Sequence, residues 1–145
     1  MKKRKKKTER QKVKDELKTL ITNIVKKRDK NTCQWCGKKV EGSNCHPSHV
    51  IPVSTCGLFL RYDEQNIKIL CFHCHRNRWH LNPTESGVWF RKKFPKRWRY
   101  LQKEMLNPSR SVKTWELEEL RERLKSSTKK TSLSPSYLIS LNKTT

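Results

Sequence analysis

The chain is 145 residues long, room for one small domain and its tails, and its 35 Lys and Arg against 13 Asp and Glu give a formal net charge of +22. Only 32% of its residues are hydrophobic, which excludes a large unaided core, and no run of about 18 apolar residues exists to span a membrane. The opening MKKRKKK leads into no apolar stretch, so no secretory signal is read and a cytoplasmic setting is expected. In that reducing compartment six cysteines read as metal ligands or free thiols before disulfides, and the basic balance points to a nucleic-acid partner.

In chain order, residues 1–11 form a basic arm with too few apolar groups to pack, expected to be disordered. From Lys12 the pattern changes: Val13, Leu17, Leu20, Ile21, Ile24 and Val25 recur at helical spacing and predict a helix over 12–28. Asp29-Lys30-Asn31 is a polar break. Residues 33–80 then hold all six cysteines and all five histidines. Within them CQWCGKK has the form of a knuckle turn, with Gly37 supplying permissive backbone. HVIPV, from His49 to Val53, predicts a first short strand with Pro52 at its edge or end, and NIKIL, around Ile67 and Ile69, predicts a second. CFHCHRNRWH lacks Gly and Pro and predicts a helix. Asn82-Pro83-Thr84-Glu85 opens another helix from Pro83, with Asn82 as N-cap and Glu85 closing a capping box. Residues 12–106 therefore read as one α+β domain. A linker and last helix occupy 107–125, the helix from about Thr114 to Lys125 with Leu117, Leu120 and Leu124 on one face. Residues 126–145, rich in Ser, Thr and Lys, are expected to be disordered.

Cys33-x-x-Cys36 and Cys71-x-x-Cys74 are paired-thiolate units. Two intervening residues let both sulfurs of a pair reach one ion, and four thiolates close a tetrahedral Zn²⁺ site with no open position. Such a zinc is structural: it ties together the ends of residues 37–70 and supplies folding free energy that a small core lacks. Cys45 and Cys56 are left over and read as small buried apolar residues.

The order CQWCG…SHVIPV…QNIKILCFHCH resembles the HNH endonucleases, whose pattern is CxxC, a His opening the first strand, an Asn before the second, then CxxCH on a helix. The likeness covers roughly residues 18–80. LRYDEQN and the helix after the second strand are similar to phage HNH proteins related to the NinG-type recombination nucleases. The resemblance implies a zinc-stapled ββα-metal domain that hydrolyses DNA phosphodiester bonds. By it, His49 is the general base, His75 a ligand of a catalytic divalent ion (Mg²⁺, Mn²⁺, Co²⁺ or Ni²⁺), and Asn66 orients His49 and holds the hairpin loop. The residue types suit the chemistry. Imidazole takes a proton from water near neutral pH, and a divalent ion polarises the phosphate and meets the leaving oxyanion. A non-catalytic zinc-knuckle protein that binds DNA or RNA needs the cysteines and the charge, but gives no reason for His49, Asn66 and His75.

The sequence departs from that pattern at Ser48, where the family often has an acid that helps hold the metal. A hydroxyl is a poor ligand for a hard cation. His80 is the candidate substitute. On an unbroken α-helix it lies about 140° round from His75, so it joins the site only if the helix ends near Trp79. Otherwise it merely ends the helix. His73 faces away from His75 and reads as a surface or phosphate contact, and His46 as a plain loop residue. Asp63 and Glu64 read as a polar turn before metal ligands. Arg91, Lys92, Lys93, Lys96, Arg97 and Arg99 are the candidate nucleic-acid contacts. Phe94, Trp98 and Tyr100 among them either stack on bases or pack against the zinc block.

Overall fold

The computed structural model describes residues 6–106 and 111–130, so the expectations for residues 1–5, 107–110 and 131–145 lie outside the described residues. Two compact units divide the chain, Met1–Leu20 with Lys113–Thr145, and Ile21–Val112. Helix α1 (Glu9–Arg28) starts three residues ahead of the expected point, and residues 9–11 belong to it rather than to the arm. The Thr8 hydroxyl explains the early start, accepting the Gln11 N–H at 3.3 Å, with Glu9 in the first turn and Lys26, Lys27 and Arg28 in the last. The polar break ends the helix: Lys30 and Asn31 take left-handed backbone (φ 52° and 47°), and the Asn31 N–H returns to the Lys26 carbonyl at 2.9 Å.

In the second unit the knuckle follows. Gly37, at φ 75°, closes its turn by donating to the Cys33 carbonyl at 2.9 Å. Strands β1 (His46–His49) and β2 (Ile67–Leu70) then pair antiparallel, with His46 opposite Leu70, Ser48 opposite Lys68 and His49 opposite Ile67. The first strand thus ends at His49, where the sequence pattern has it begin. The cause is Asn66. Its main-chain carbonyl takes the Val50 N–H at 2.7 Å and its Oδ1 takes the Ile51 N–H at 2.7 Å, so the chain past His49 curls around one side chain instead of extending the ladder. The apolar run VIPV supplies core: Val50 and Ile51 pack with Leu60 of α2 (Leu58–Arg61), and with Phe90 and Leu101. Cys56 packs against this cluster, and burial pushes its thiol up, as suits a small apolar residue.

After β2 the chain turns at Cys71 into a π-helical segment, Cys74–His80, whose wider turn is marked by the Leu81 N–H reaching the Arg76 carbonyl five residues back, at 3.2 Å. Helices α3 (Pro83–Lys93) and α4 (Pro95–Met105) follow, each with proline in its first turn. The expected capping box at α3 does not form. Asn82 Nδ2 donates instead to the Asn77 carbonyl at 2.8 Å, and Glu85 lies 3.9 Å from Arg78. Ser86 does the tying here, its hydroxyl donating toward the Arg78 and Asn82 carbonyls at 2.6 and 2.7 Å. Trp35 of the knuckle stacks on Trp89 of α3 with ring centroids 4.2 Å apart. β2 is buried throughout and includes Lys68, whose Nζ lies 3.0 Å from the Trp79 ring centroid. Burial, reinforced by the Arg97 charge, holds that amine well below the ordinary lysine range.

In the first unit, α5 (Thr114–Lys130) runs five residues past the expected Lys125, so residues 126–130 are helical rather than disordered. Ser126 and Thr128 turn their hydroxyls onto the Glu122 and Leu124 carbonyls, at 3.0 and 3.2 Å, and do not interrupt the ladder. Val13 and Leu17 of α1 and Leu117 and Leu120 of α5 are buried, and Arg121 bridges to Glu16 at 3.2 Å.

Candidate active site and metal centre

The four knuckle cysteines meet. Cys33, Cys36, Cys71 and Cys74 hold their sulfurs within 4.8 Å of one another, the arrangement of a four-thiolate metal site. Their acidities say why a cation belongs there. Burial opposes ionisation of Cys33, but the backbone N–H groups of Cys36, Cys71 and Trp35 outweigh it and bring the thiol down to about 7. Burial first, then the neighbouring sulfurs, push Cys71 and Cys74 up. Four sulfurs this close ionise together only around a positive charge, so the donor set fits a structural zinc.

Asn66 is fully buried at the end of the turn Glu64–Asn66. Its Oδ1 accepts from the Ile51 N–H, and its Nδ2 donates to the Ile51 and Leu60 carbonyls, at 3.3 and 3.0 Å. Two arginines brace this turn from outside. Arg28 of α1 donates to the Glu64 carbonyl and, at 2.7 Å, to the Ile67 carbonyl. Arg97 of α4 donates to the Gln65 carbonyl at 2.7 Å and the Ile67 carbonyl at 3.0 Å. Asp63 caps the turn through the Gln65 N–H at 2.7 Å and accepts from the Tyr100 hydroxyl at 2.5 Å, so the polar-turn reading of Asp63 and Glu64 describes their structure. His49, at the strand end that Asn66 fixes, has Nε2 2.9 Å from the Arg61 carbonyl. A carbonyl only accepts, so Nε2 carries the proton and Nδ1 is the basic nitrogen. The His49 carbonyl accepts in turn from Trp79 Nε1 at 3.1 Å, tying β1 to the π-helical segment.

Three histidines gather beside that strand. His75 Nε2 and His80 Nε2 are 3.0 Å apart, because on a π-turn residues five apart lie one above the other. The helix does not have to end for His80 to reach His75; it widens. His46 is not a loop residue: it opens β1, and its ring stacks on His75 with centroids 5.0 Å apart and planes at 16°. Burial, then the charges of His80, His46 and Lys68, lower the His75 imidazole to about 4, which keeps it neutral and able to ligate at neutral pH. Ser48 of β1 is buried, its hydroxyl without a hydrogen bond. His73 turns away to Asn77 at 3.1 Å. Among the described residues, only the four cysteines have three or more ligand atoms all within 4.8 Å, so the imidazole group is looser than the thiolate one.

The basic set divides. Arg91, Lys92, Lys96 and Arg99 are exposed on α3 and α4. Arg97 leaves the set of nucleic-acid contacts: its guanidinium is turned inward onto the Asn66 turn and the Phe90 and Phe94 rings, 5.2 and 4.9 Å from their centroids. Lys93, also exposed, donates to the Gln34 carbonyl of the knuckle. Sequence reasoning missed His46, and it missed the bracing roles of Arg28 and Arg97. Only the first left a signal, since residues two apart share a strand face and His46 stands two before Ser48.

No curated protein and no solved structure matches this chain. Residues 33–80 match the family model described as HNH endonuclease. The match opens on Cys33, the first thiol of the quartet, and closes on His80, the last residue of the π-helical segment, so the part of the chain that is similar to the HNH endonucleases is the stretch that carries the four-cysteine cluster, the two strands and the π-helical segment.

Proposed function

We propose that the protein is a metal-dependent DNA endonuclease in which His49 is the general base. The observation that carries this reading is the pairing of His75 and His80 nitrogens at 3.0 Å beside the strand that ends in His49. With its Nε2 proton given to the Arg61 carbonyl, His49 takes the proton of the attacking water at Nδ1. Asn66 holds Val50 and Ile51 and thereby keeps the His49 strand end in place. His75 and His80 are the residues that would hold the catalytic ion. When bound, a divalent ion there supplies positive charge to the phosphate and to the departing oxyanion. The exposed Arg91, Lys92, Lys96 and Arg99 would follow the DNA backbone. The likeness of LRYDEQN to phage recombination nucleases supports a role in phage DNA processing, recombination or packaging, in the host cytoplasm.

Imidazole ligands suit transition ions better than Mg²⁺, which prefers oxygen. Plasmid cleavage by the purified, zinc-loaded protein should therefore be faster with Mn²⁺, Co²⁺ or Ni²⁺ than with equal Mg²⁺, and should stop with EDTA. His49→Ala should slow cleavage by about 10²- to 10⁴-fold with DNA affinity unchanged. Absence of cleavage with every ion would leave the chain a zinc-knuckle nucleic-acid-binding protein.

A further inference from the structure

The second ion site proposed above lacks an acid at position 48, and the structure offers a replacement two residues away. Side chains at alternate positions of a strand share a face, so His46 points to the same side of β1 as Ser48. Its cross-strand partner is Leu70, immediately before the Cys71 turn that brings the π-helical segment back over the start of β1. That return lays the His75 ring against the His46 ring. His46 Nε2 is buried, yet it has no hydrogen-bond partner. Buried polar atoms are normally paired, and an unpaired imidazole nitrogen beside two other histidines has an evident use as a ligand. Ser48, similarly orphaned, has only a hydroxyl to offer.

Resting on the endonuclease reading, we propose that His46 is the third ligand of the catalytic ion, forming with His75 and His80 an all-imidazole site for a first-row transition metal. Ligation turns the His46 ring toward the His75–His80 pair, since the three sets of nitrogens do not all lie within 4.8 Å as the sulfurs do. Three neutral nitrogens leave coordination positions for a phosphate oxygen and a water, and they discriminate against Mg²⁺ and Ca²⁺, which are oxygen-seeking.

The test is Co²⁺ titration of the zinc-loaded full chain, followed by visible absorption and by calorimetry. Wild type should take up one Co²⁺ beyond the zinc. His46→Phe keeps the ring packing and removes the nitrogens, so it should retain zinc and fold while binding Co²⁺ at least about 10-fold more weakly, the least that losing even an outer-shell partner commonly costs. His46→Ala should do the same, and its zinc content and circular dichroism establish that it folds. If His46→Phe binds Co²⁺ as wild type does while His75→Ala does not, the third-ligand inference is overturned and the endonuclease reading stands. If wild type binds no second ion, or His75→Ala binds it unchanged, the ion site itself is overturned and the metal-dependent reading falls with it.

Discussion

At the scale of single residues, one histidine of the candidate site, His75, is held in one protonation state by its surroundings. Burial, with His80, His46 and Lys68 close by, holds it near 4 against the ordinary imidazole value of 6.5. Below about 6.5 the unfolded chain takes up a proton here that the folded chain refuses, so folding stability is lost as pH falls from 6.5 toward 4. Denaturation of the protein carrying zinc alone, compared across that window with His75→Gln, should show wild type losing stability more steeply. Parallel pH profiles would show that His75 is not held neutral. The comparison between variants is needed because acid also protonates the four thiolates.

At the scale of elements, α1 and α4 act on the turn before β2 through arginine. The last residue of α1 and the third residue of α4 both reach the Ile67 carbonyl, and between them they cover the carbonyls of Glu64, Gln65 and Ile67. These carbonyls surround Asn66 in the chain, so the brace fixes the turn that fixes His49. Arg97→Ala should cost about 1.5–3 kcal/mol, the usual range for hydrogen bonds made by a charged group, read by urea denaturation. Cleavage should fall with it while DNA affinity stays near wild type, because the guanidinium faces the turn. Arg97→Lys should not restore stability, since a single ammonium does not reproduce the fork that spans two carbonyls. A loss of DNA affinity without a loss of stability would return Arg97 to the DNA-binding surface. None of this was legible in a run of alternating bases and aromatics, where nothing marks which arginine turns inward. The second strand, helices α3 and α5 and the cysteine quartet were legible, because each rests on local spacing; α4 was not read as a separate helix. The first strand was misplaced because VIPV has the composition of a strand, and only a distant side chain, Asn66, diverts it. For His80, the expected condition of a helix ending near Trp79 is not met, because the chain adopts a π-turn through His80 that brings it to His75 without an end.

At the scale of the whole molecule, a chain with 32% hydrophobic residues and a net charge of +22 has little apolar surface to set against self-repulsion. A zinc held by the four cysteines would make up the difference. Structural zinc contributes about 10–16 kcal/mol in small zinc-finger peptides, as much as the entire stability of many domains. Cys33→Ser should consequently lose zinc and unfold the unit Ile21–Val112, as followed by elemental analysis and near-ultraviolet circular dichroism. A variant that folds without zinc would remove the staple from the account. The π-turn has a consequence of a different kind. A π-turn differs from an α-helix by one inserted residue, so deleting one residue between His75 and His80 returns the segment to α-helical winding with the two imidazoles four apart and still on one face, whereas a further insertion parts them. The pairing of the two imidazoles therefore tolerates a shortened segment better than a lengthened one, even with both histidines intact.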